Sequence, residues 1–415
     1  MSDPIPLTPV AATERIEAMD VLRGFALLGI LLMNIEGIVG PLLGAMTGVD
    51  PALTGADRWV DALIYVFVQG KFYPLFSLLF GMGFALMAVR AEAMGRTFVP
   101  TYLRRALALL VIGLAHALLV WSGDILVTYA LLALVMLLLF RKTPSSRLPA
   151  WGITFIVAPS LFFLAMGALV SLAMMMPGGA AEMDKALAEQ GAAMNGVLEA
   201  QRQAFGSGTW GEAVAQRKQD LLQMMGFLVF WGWQVLGLFL LGAWFVRSGA
   251  IARPEAFPGL YRRLRVIALP VGLVMVLLSC LITPTADFTR SDLPATSAMG
   301  LFTLGGTLMT LGYLAWILRG LQSPALAPWL RRLAPAGRMA LTNYLMQTVV
   351  CTWIFSGYGL GYFEQLPRAW QVPFVLVFFA AQVLLSQAWL SHFRMGPMEW
   401  LWRIATYLRL PPMRR

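Results

Sequence analysis

Few residues in this 415-residue chain have side chains suited to chemistry, and several of them stand inside long apolar runs. A polar side chain there is costly to keep and is therefore a functional candidate. Asp20, Arg23 and Asn34 share the first run. The spacing from Arg23 to Asn34 is three helical turns plus about 20°, so the two share a face, with Asp20 on it one turn earlier. A rise of about 1.5 Å per residue puts Asn34 about 16 Å beyond Arg23, near the middle of a bilayer. His116 lies near that depth in the third run, and Gln234, Gln347 and Gln382 do so in later runs. Such groups scattered toward lipid would be unfavourable, so one shared, water-reachable pocket is the economical expectation. Within it His116 is the candidate general base, because imidazole exchanges a proton near neutral pH. The competing readings are a core histidine satisfied by a carbonyl and, for Asn34, an interhelical hydrogen bond.

Asp124 ends the hairpin Trp121-Ser122-Gly123-Asp124, where it is either catalytic or a cap for the following helix. Glu36 lies two residues past Asn34 on another face, and Lys71 at similar height is its candidate partner. Lys71 also opens the run Gly70-Lys71-Phe72-Tyr73-Pro74, whose free backbone donors suit an anion or a lipid phosphate on the outer side. Glu36, Lys71, Tyr73, Gln234, Gln347 and Gln382 are the expected substrate contacts. On the inner side Arg338, Thr342 and Asn343 open another helix and could meet a phosphate-bearing ligand.

The elements that must position these groups follow from composition. The chain is 59% hydrophobic and 13% charged, which excludes a soluble globular domain, a disordered chain, a collagen-like fibre and a disulfide scaffold. A bilayer core about 30 Å thick needs about 20 apolar residues per helix. Ten runs qualify, at 22–44, 72–90, 105–122, 125–140, 150–176, 223–246, 266–283, 297–318, 339–357 and 370–391. The first reads as a retained span and not as a cleaved leader. With both termini cytoplasmic, Lys and Arg on the inner side, Arg15 among them, outnumber those outside by about three to one. The net charge of +10 therefore reads as topology and affinity for lipid heads, and nucleic acid is not an expected partner.

The expected fold is an all-α polytopic membrane protein with one membrane domain over 1–415. Residues 45–71 form an outer connection. The loop 177–222 is periplasmic and helical, with a second helix starting at Thr209 and a capping box to Glu212. The segment 393–415 holds an interfacial helix from Pro397 to Arg409, with Trp400, Trp402 and Tyr407 at headgroup level. Cys280 and Cys351 sit in apolar runs without metal-ligand spacing, His116 and His392 lie far apart, and no metal is expected.

Five stretches carry a resemblance: MDVLRGFALLGILLMNI (19–35), KFYPLFSLLFGMGFAL (71–86), IGLAHALLVWSGDIL (112–126), GRMALTNYLMQT (337–348) and FRMGPMEWLWR (393–403). Together they resemble the YeiB-like bacterial membrane family, a domain of unknown function. That family is similar in turn to the transmembrane acyltransferase superfamily, which includes the acyltransferase-three proteins and heparan-α-glucosaminide N-acetyltransferase. The shared element is an Arg, ten residues, then a polar residue, here Arg23 and Asn34. Acyltransferase-three proteins have His at the second position. The glucosaminide enzyme has Asn there and a catalytic His eleven residues later, where this chain has Ala45. The base would then be His116.

The resemblance implies that an acyl group from cytosolic acyl-CoA passes to an acceptor on the periplasmic side of a bacterial inner membrane. Arg23, Arg104, Arg105, Arg262, Arg263, Arg265 and Arg338 would meet the coenzyme A phosphates, with Asn343 beside them. Asn34 would orient the thioester carbonyl and His116 would take the acceptor proton. A midplane polar pocket suits a transporter of a small polar or anionic metabolite equally well. A third reading is a partner subunit or sensor acting through the 177–222 loop. The expected partners are the phospholipid bilayer, a small-molecule substrate and, in a homo-oligomer, further copies of the chain.

Overall fold

The computed structural model describes residues 16–285 and 290–415. Arg15, counted above with the inner basic residues, lies outside them. The first four helices are α1 (Glu17–Asn34), α2 (Glu36–Val39), α3 (Gly55–Phe67) and α4 (Phe72–Ala93). Next come α5 (Val99–Leu119), α6 (Leu126–Val135), α7 (Leu148–Met174), α8 (Gly179–Arg202) and α9 (Trp210–Arg247). The later ones are α10 (Pro258–Arg263), α11 (Leu269–Ile282), α12 (Leu293–Leu321), α13 (Ala327–Arg331) and α14 (Ala334–Arg338). The last three are α15 (Ala340–Phe355), α16 (Arg368–His392) and α17 (Pro397–Tyr407). Among the described residues there is no β-strand, only the isolated bridges Gly48 to Thr285 and Phe393 to Arg414.

Six helical segments are long and apolar enough to cross a membrane, or seven if α9, bent by 65° between Val229 and Trp231, is one span. That is the build of a polytopic membrane protein. Each of the ten apolar runs falls on a helix, but α1 (18 residues), α6 (10 residues) and α15 (16 residues) are short for a full crossing. Two boundaries differ from the sequence reading. The first run does not continue as one helix to residue 44, because α1 stops at Asn34 and the chain turns through α2. The second apolar stretch does not begin at residue 72, because α3 occupies half of the 45–71 connection, over the short apolar piece from Trp59 to Val68, and joins α4 in one stretch, Gly55–Ala93.

Close helix contact at the centre depends on glycine. A Cβ on Gly81 of α4 would lie 2.0 Å from the Phe239 carbonyl oxygen of α9, and one on Gly242 of α9 would lie 2.0 Å from that of Leu78. Small residues let membrane helices approach backbone to backbone. Gly81→Ala is therefore expected to force α4 and α9 apart and to cost about 1–3 kcal/mol. A lowered thermal midpoint in detergent checks this, and an unchanged one would show that the contact relaxes freely.

The 177–222 loop forms the expected helices. Thr209 caps α9, its hydroxyl accepting from the Glu212 amide while the Glu212 carboxylate accepts from the Thr209 amide. The loop is tied down by buried Asp220, which accepts from Ser122 at 3.0 Å and from Gln201 and Gln216 at 2.9 Å. Arg217 donates to the Leu119 carbonyl and to Tyr358. These bonds hold the hairpin that presents Asp124.

Candidate functional site

A cavity of about 280 Å³ opens among the starts of α1, α5 and α15, the end of α4, and α14 and α17. Its rim carries Arg23, Arg90, Arg105, Arg338, Arg394 and Arg403. Its depth is apolar and aromatic, with Phe76, Phe80, Leu109, Tyr129 and Tyr344 among the lining residues. Gly337 makes the rim possible. A Cβ there would come within 1.9 Å of the Asp20 carbonyl oxygen, so only glycine lets α14 bring Arg338 against the start of α1.

The two carboxylates of the rim are already engaged. Asp20 accepts from Arg23 at 2.9 Å, an i,i+3 pair on the face that spacing assigns to both. Glu399 caps α15, accepting from the amides of Leu341 (2.7 Å) and Thr342 (3.1 Å) and from the Thr342 hydroxyl (2.6 Å). The arginines thus leave a positive mouth over an apolar floor. One wall is α17, held by Arg105 stacked 3.5 Å over the Trp402 ring, by Trp402 Nε1 donating to the Arg105 carbonyl, and by Arg104 donating to the Thr406 carbonyl.

Glu399 also makes stability depend on pH. Burial pushes its carboxyl above the usual carboxylate range, and the bonds from Thr342 and Leu341 oppose this without cancelling it. A carboxyl that holds its proton more tightly in the folded chain contributes stability that is fully present below about pH 4.5 and is lost as pH rises through the raised folded value. Glu399→Gln is expected to flatten that part of the profile, read as thermal midpoints across the acid range. A variant with the wild-type slope would assign the dependence elsewhere.

His116 lies behind the cavity floor. It is buried, with Nδ1 2.7 Å from Asp124 Oδ1 and Nε2 2.7 Å from Thr348 Oγ1, and its ring centroid is 5.3 Å from that of Tyr344. The Asp124 carboxylate has a second bond, accepting from the Val127 amide at 2.8 Å. Asp124 is therefore both a cap at the start of α6 and the partner of His116. An ionised carboxylate only accepts, which assigns the proton to Nδ1 and leaves the Nε2 lone pair facing Thr348.

The expected midplane hollow is not where the cavity lies. Asn34, His116, Gln234, Gln347 and Gln382 are absent from its lining. The glutamines are engaged inside the protein: Gln234 accepts from Tyr73 (2.6 Å) and donates to Thr307 (2.8 Å), and Gln347 donates to Gln382 (2.8 Å), which donates to the Asn343 carbonyl (3.0 Å). These polar groups pair between helices, as low-dielectric surroundings favour. Asn343 donates to the Ala336 carbonyl and to Ser386 and does not line the cavity, nor does Arg104. The proposed mouth residues Arg262, Arg263 and Arg265 do not border it either.

Lys71 does not pair with Glu36 and is no surface anion seat. It is fully buried, donates from Nζ to the Tyr65 carbonyl at 2.8 Å, and lies 4.4 Å over the Phe302 ring. Glu36 pairs instead with Arg368 at 2.8 Å, and the same guanidinium donates to Asp61 (2.8 Å) and Gln371 (2.8 Å). Arg90, Arg394, Arg403, Tyr344, Thr348, Glu399 and Arg368 were not singled out as site residues. Arg90, Arg394 and Arg403 are legible only as topology, whereas Arg23, Arg105 and Arg338, expected at a phosphate-binding mouth, do line the cavity; Tyr344 gives no signal beyond standing at the end of the run Gly337–Tyr344.

Fold and site together define a polytopic helical membrane protein with an arginine-rimmed cavity at one end. Residues 245–409 match a family described as "Protein of unknown function (DUF418)". The chain is 34% identical to YxaH of Bacillus subtilis over 98% of each chain, and 32% identical to YeiB of Escherichia coli over 95% of this chain and 96% of that one. Both are described as uncharacterized proteins. The chain belongs to this YeiB-like family. No solved structure matches it.

Proposed function

We propose that this is a ten-span protein of the bacterial inner membrane, with both termini cytoplasmic and the 177–222 loop periplasmic, that transfers an acyl group from cytosolic acyl-CoA to an acceptor on the other side. In this reading residues 1–415 form one membrane domain, and 393–415 lie at the inner interface. The observation that carries the reading is the cavity, whose arginine rim stands over an apolar floor. Coenzyme A bears several phosphate charges, and guanidinium groups bind phosphate through paired, charge-assisted hydrogen bonds. The pantetheine arm suits the apolar and aromatic depth, and it carries the thioester to the far end at Tyr344, with His116 behind it. His116 Nε2 then accepts the proton of an acceptor hydroxyl or amine, while Asp124 holds the ring and stabilises the imidazolium that forms. Asn34 borders no part of the cavity and has no step in this scheme. The buried glutamines that a solute path would use are bonded to protein, which favours transfer over transport.

Calorimetry with octanoyl-CoA in detergent tests the reading. Arg23→Gln and Arg338→Gln are each expected to weaken binding about tenfold, the value of one charge-assisted hydrogen bond, and added salt to weaken it further. Absence of octanoyl-CoA binding, with movement of an anionic metabolite across proteoliposomes, would turn the reading to transport.

A further inference from the structure

Tyr344 is the fifth residue of α15 and is 4% exposed. Its ring lines the cavity and leans against His116 at a centroid distance of 5.3 Å. Its hydroxyl oxygen is buried without a hydrogen-bond partner in bonding geometry. The Ile125 amide comes near enough to approach a lone pair of that oxygen, and the hydroxyl proton remains unused. The neighbouring cavity tyrosine behaves differently, since Tyr129 donates to the Tyr73 carbonyl at 2.9 Å and also meets Ser77. A buried donor left unmatched destabilises by about 1–3 kcal/mol, so one that borders a cavity asks for a ligand acceptor.

We propose that Tyr344 is a catalytic residue whose hydroxyl donates to the carbonyl oxygen of an acyl thioester seated in the cavity, and that this selects a thioester over a carbonyl-free analogue. The assignment rests on the acyl-CoA reading above. The chain itself supplies the geometry. Tyr344 stands one helical turn before Thr348, and Thr348 meets His116 Nε2, so donor and base face the same place from one helix and its neighbour.

When the acceptor oxygen or nitrogen attacks the carbonyl carbon, the π pair moves onto the carbonyl oxygen, which is the atom Tyr344 holds. The acceptor's proton passes to His116 Nε2. Collapse re-forms the C=O bond and breaks C–S, and the departing thiolate takes the proton back from His116. The Tyr344 bond strengthens as charge develops on oxygen, which is the condition for lowering the barrier. A site built to hydrogen-bond a substrate group rejects the analogue that lacks it.

The test compares octanoyl-CoA with S-octyl-CoA, the thioether of equal chain length without the carbonyl oxygen, in wild type and Tyr344→Phe. Wild type is expected to bind the thioester about tenfold more tightly. Tyr344→Phe is expected to bind both alike, with thioether affinity unchanged and turnover lowered about 10²–10³-fold. Its thermal midpoint should equal or exceed that of wild type, since an unmatched buried hydroxyl has been removed. Equal binding of the two ligands by wild type, a measurement that needs no variant, overturns the Tyr344 assignment and leaves the acyl-CoA reading in place. A preference that survives in Tyr344→Phe does the same. If wild type binds neither ligand, the acyl-CoA reading itself falls and takes this assignment with it.

Discussion

Replacing His116 with glutamine is expected to lower acyl transfer from octanoyl-CoA by about 10²–10⁴-fold, the usual contribution of a positioned general base. Binding of octanoyl-CoA should hold within about twofold, because His116 is outside the cavity lining and contributes nothing to the arginine rim. Glutamine can satisfy Asp124 or Thr348 but cannot take up a proton from an acceptor. Asp124→Asn should fall in the same range through a different route. The carboxylate accepts from Nδ1 at 2.7 Å and so keeps the lone pair on Nε2. An amide in its place can donate instead, favouring the wrong tautomer. Single-turnover kinetics separate the two quantities. Wild-type rates in both variants would return His116 to the reading of a satisfied core histidine, which its complete set of bonds also allows.

The second large effect is structural and lies away from the cavity. Arg368 is 5% exposed and holds Glu36, Asp61 and Gln371 at once, and Asp61 is 1% exposed. Asp61 also accepts from the Asp50 amide at 2.9 Å, and Asp57 accepts from the Ala369 amide at 2.7 Å, so this cluster fastens the 45–71 connection to the start of α16. Arg368→Leu leaves two carboxylates facing each other without a counter-ion. Breaking a buried pair from one side costs about 3–5 kcal/mol. Arg368→Leu is therefore expected to lower the unfolding free energy by that amount in a denaturant titration in detergent. Adding Asp61→Asn and Glu36→Gln should recover much of the loss, since the uncompensated charge is then gone. A single variant within about 1 kcal/mol of wild type would show that water reaches the cluster and screens it.

These two clusters show which interactions can be read along a chain. The Asp20–Arg23 pair and the Thr209–Glu212 capping box are local, three residues apart, so helix geometry alone predicts them. The expected pairing of Lys71 with Glu36 rests on equal height in the membrane. Depth is one coordinate, however, and says nothing of which helices are neighbours. The partner that tertiary packing supplies, Arg368, is hundreds of positions away in sequence. The glutamines illustrate the same limit. Their shared depth is compatible with one central hollow or with several separate interhelical bonds, and the structure takes the second course.

Helical character, membrane residence and the helices of the 177–222 loop all follow from composition and from periods of a few residues, because lipid requires every backbone polar group to be satisfied within its own segment. Where the cavity lies was decided only when α14, α15 and α17 packed against α1, α4 and α5. That packing gathers arginines far apart in sequence into a rim, and it leaves the buried Tyr344 hydroxyl without an acceptor. The reason is that lateral contacts between helices depend on shape, above all on where glycines such as Gly81, Gly242 and Gly337 let backbones meet, and shape complementarity between distant segments has no signature in the spacing of residues along the chain.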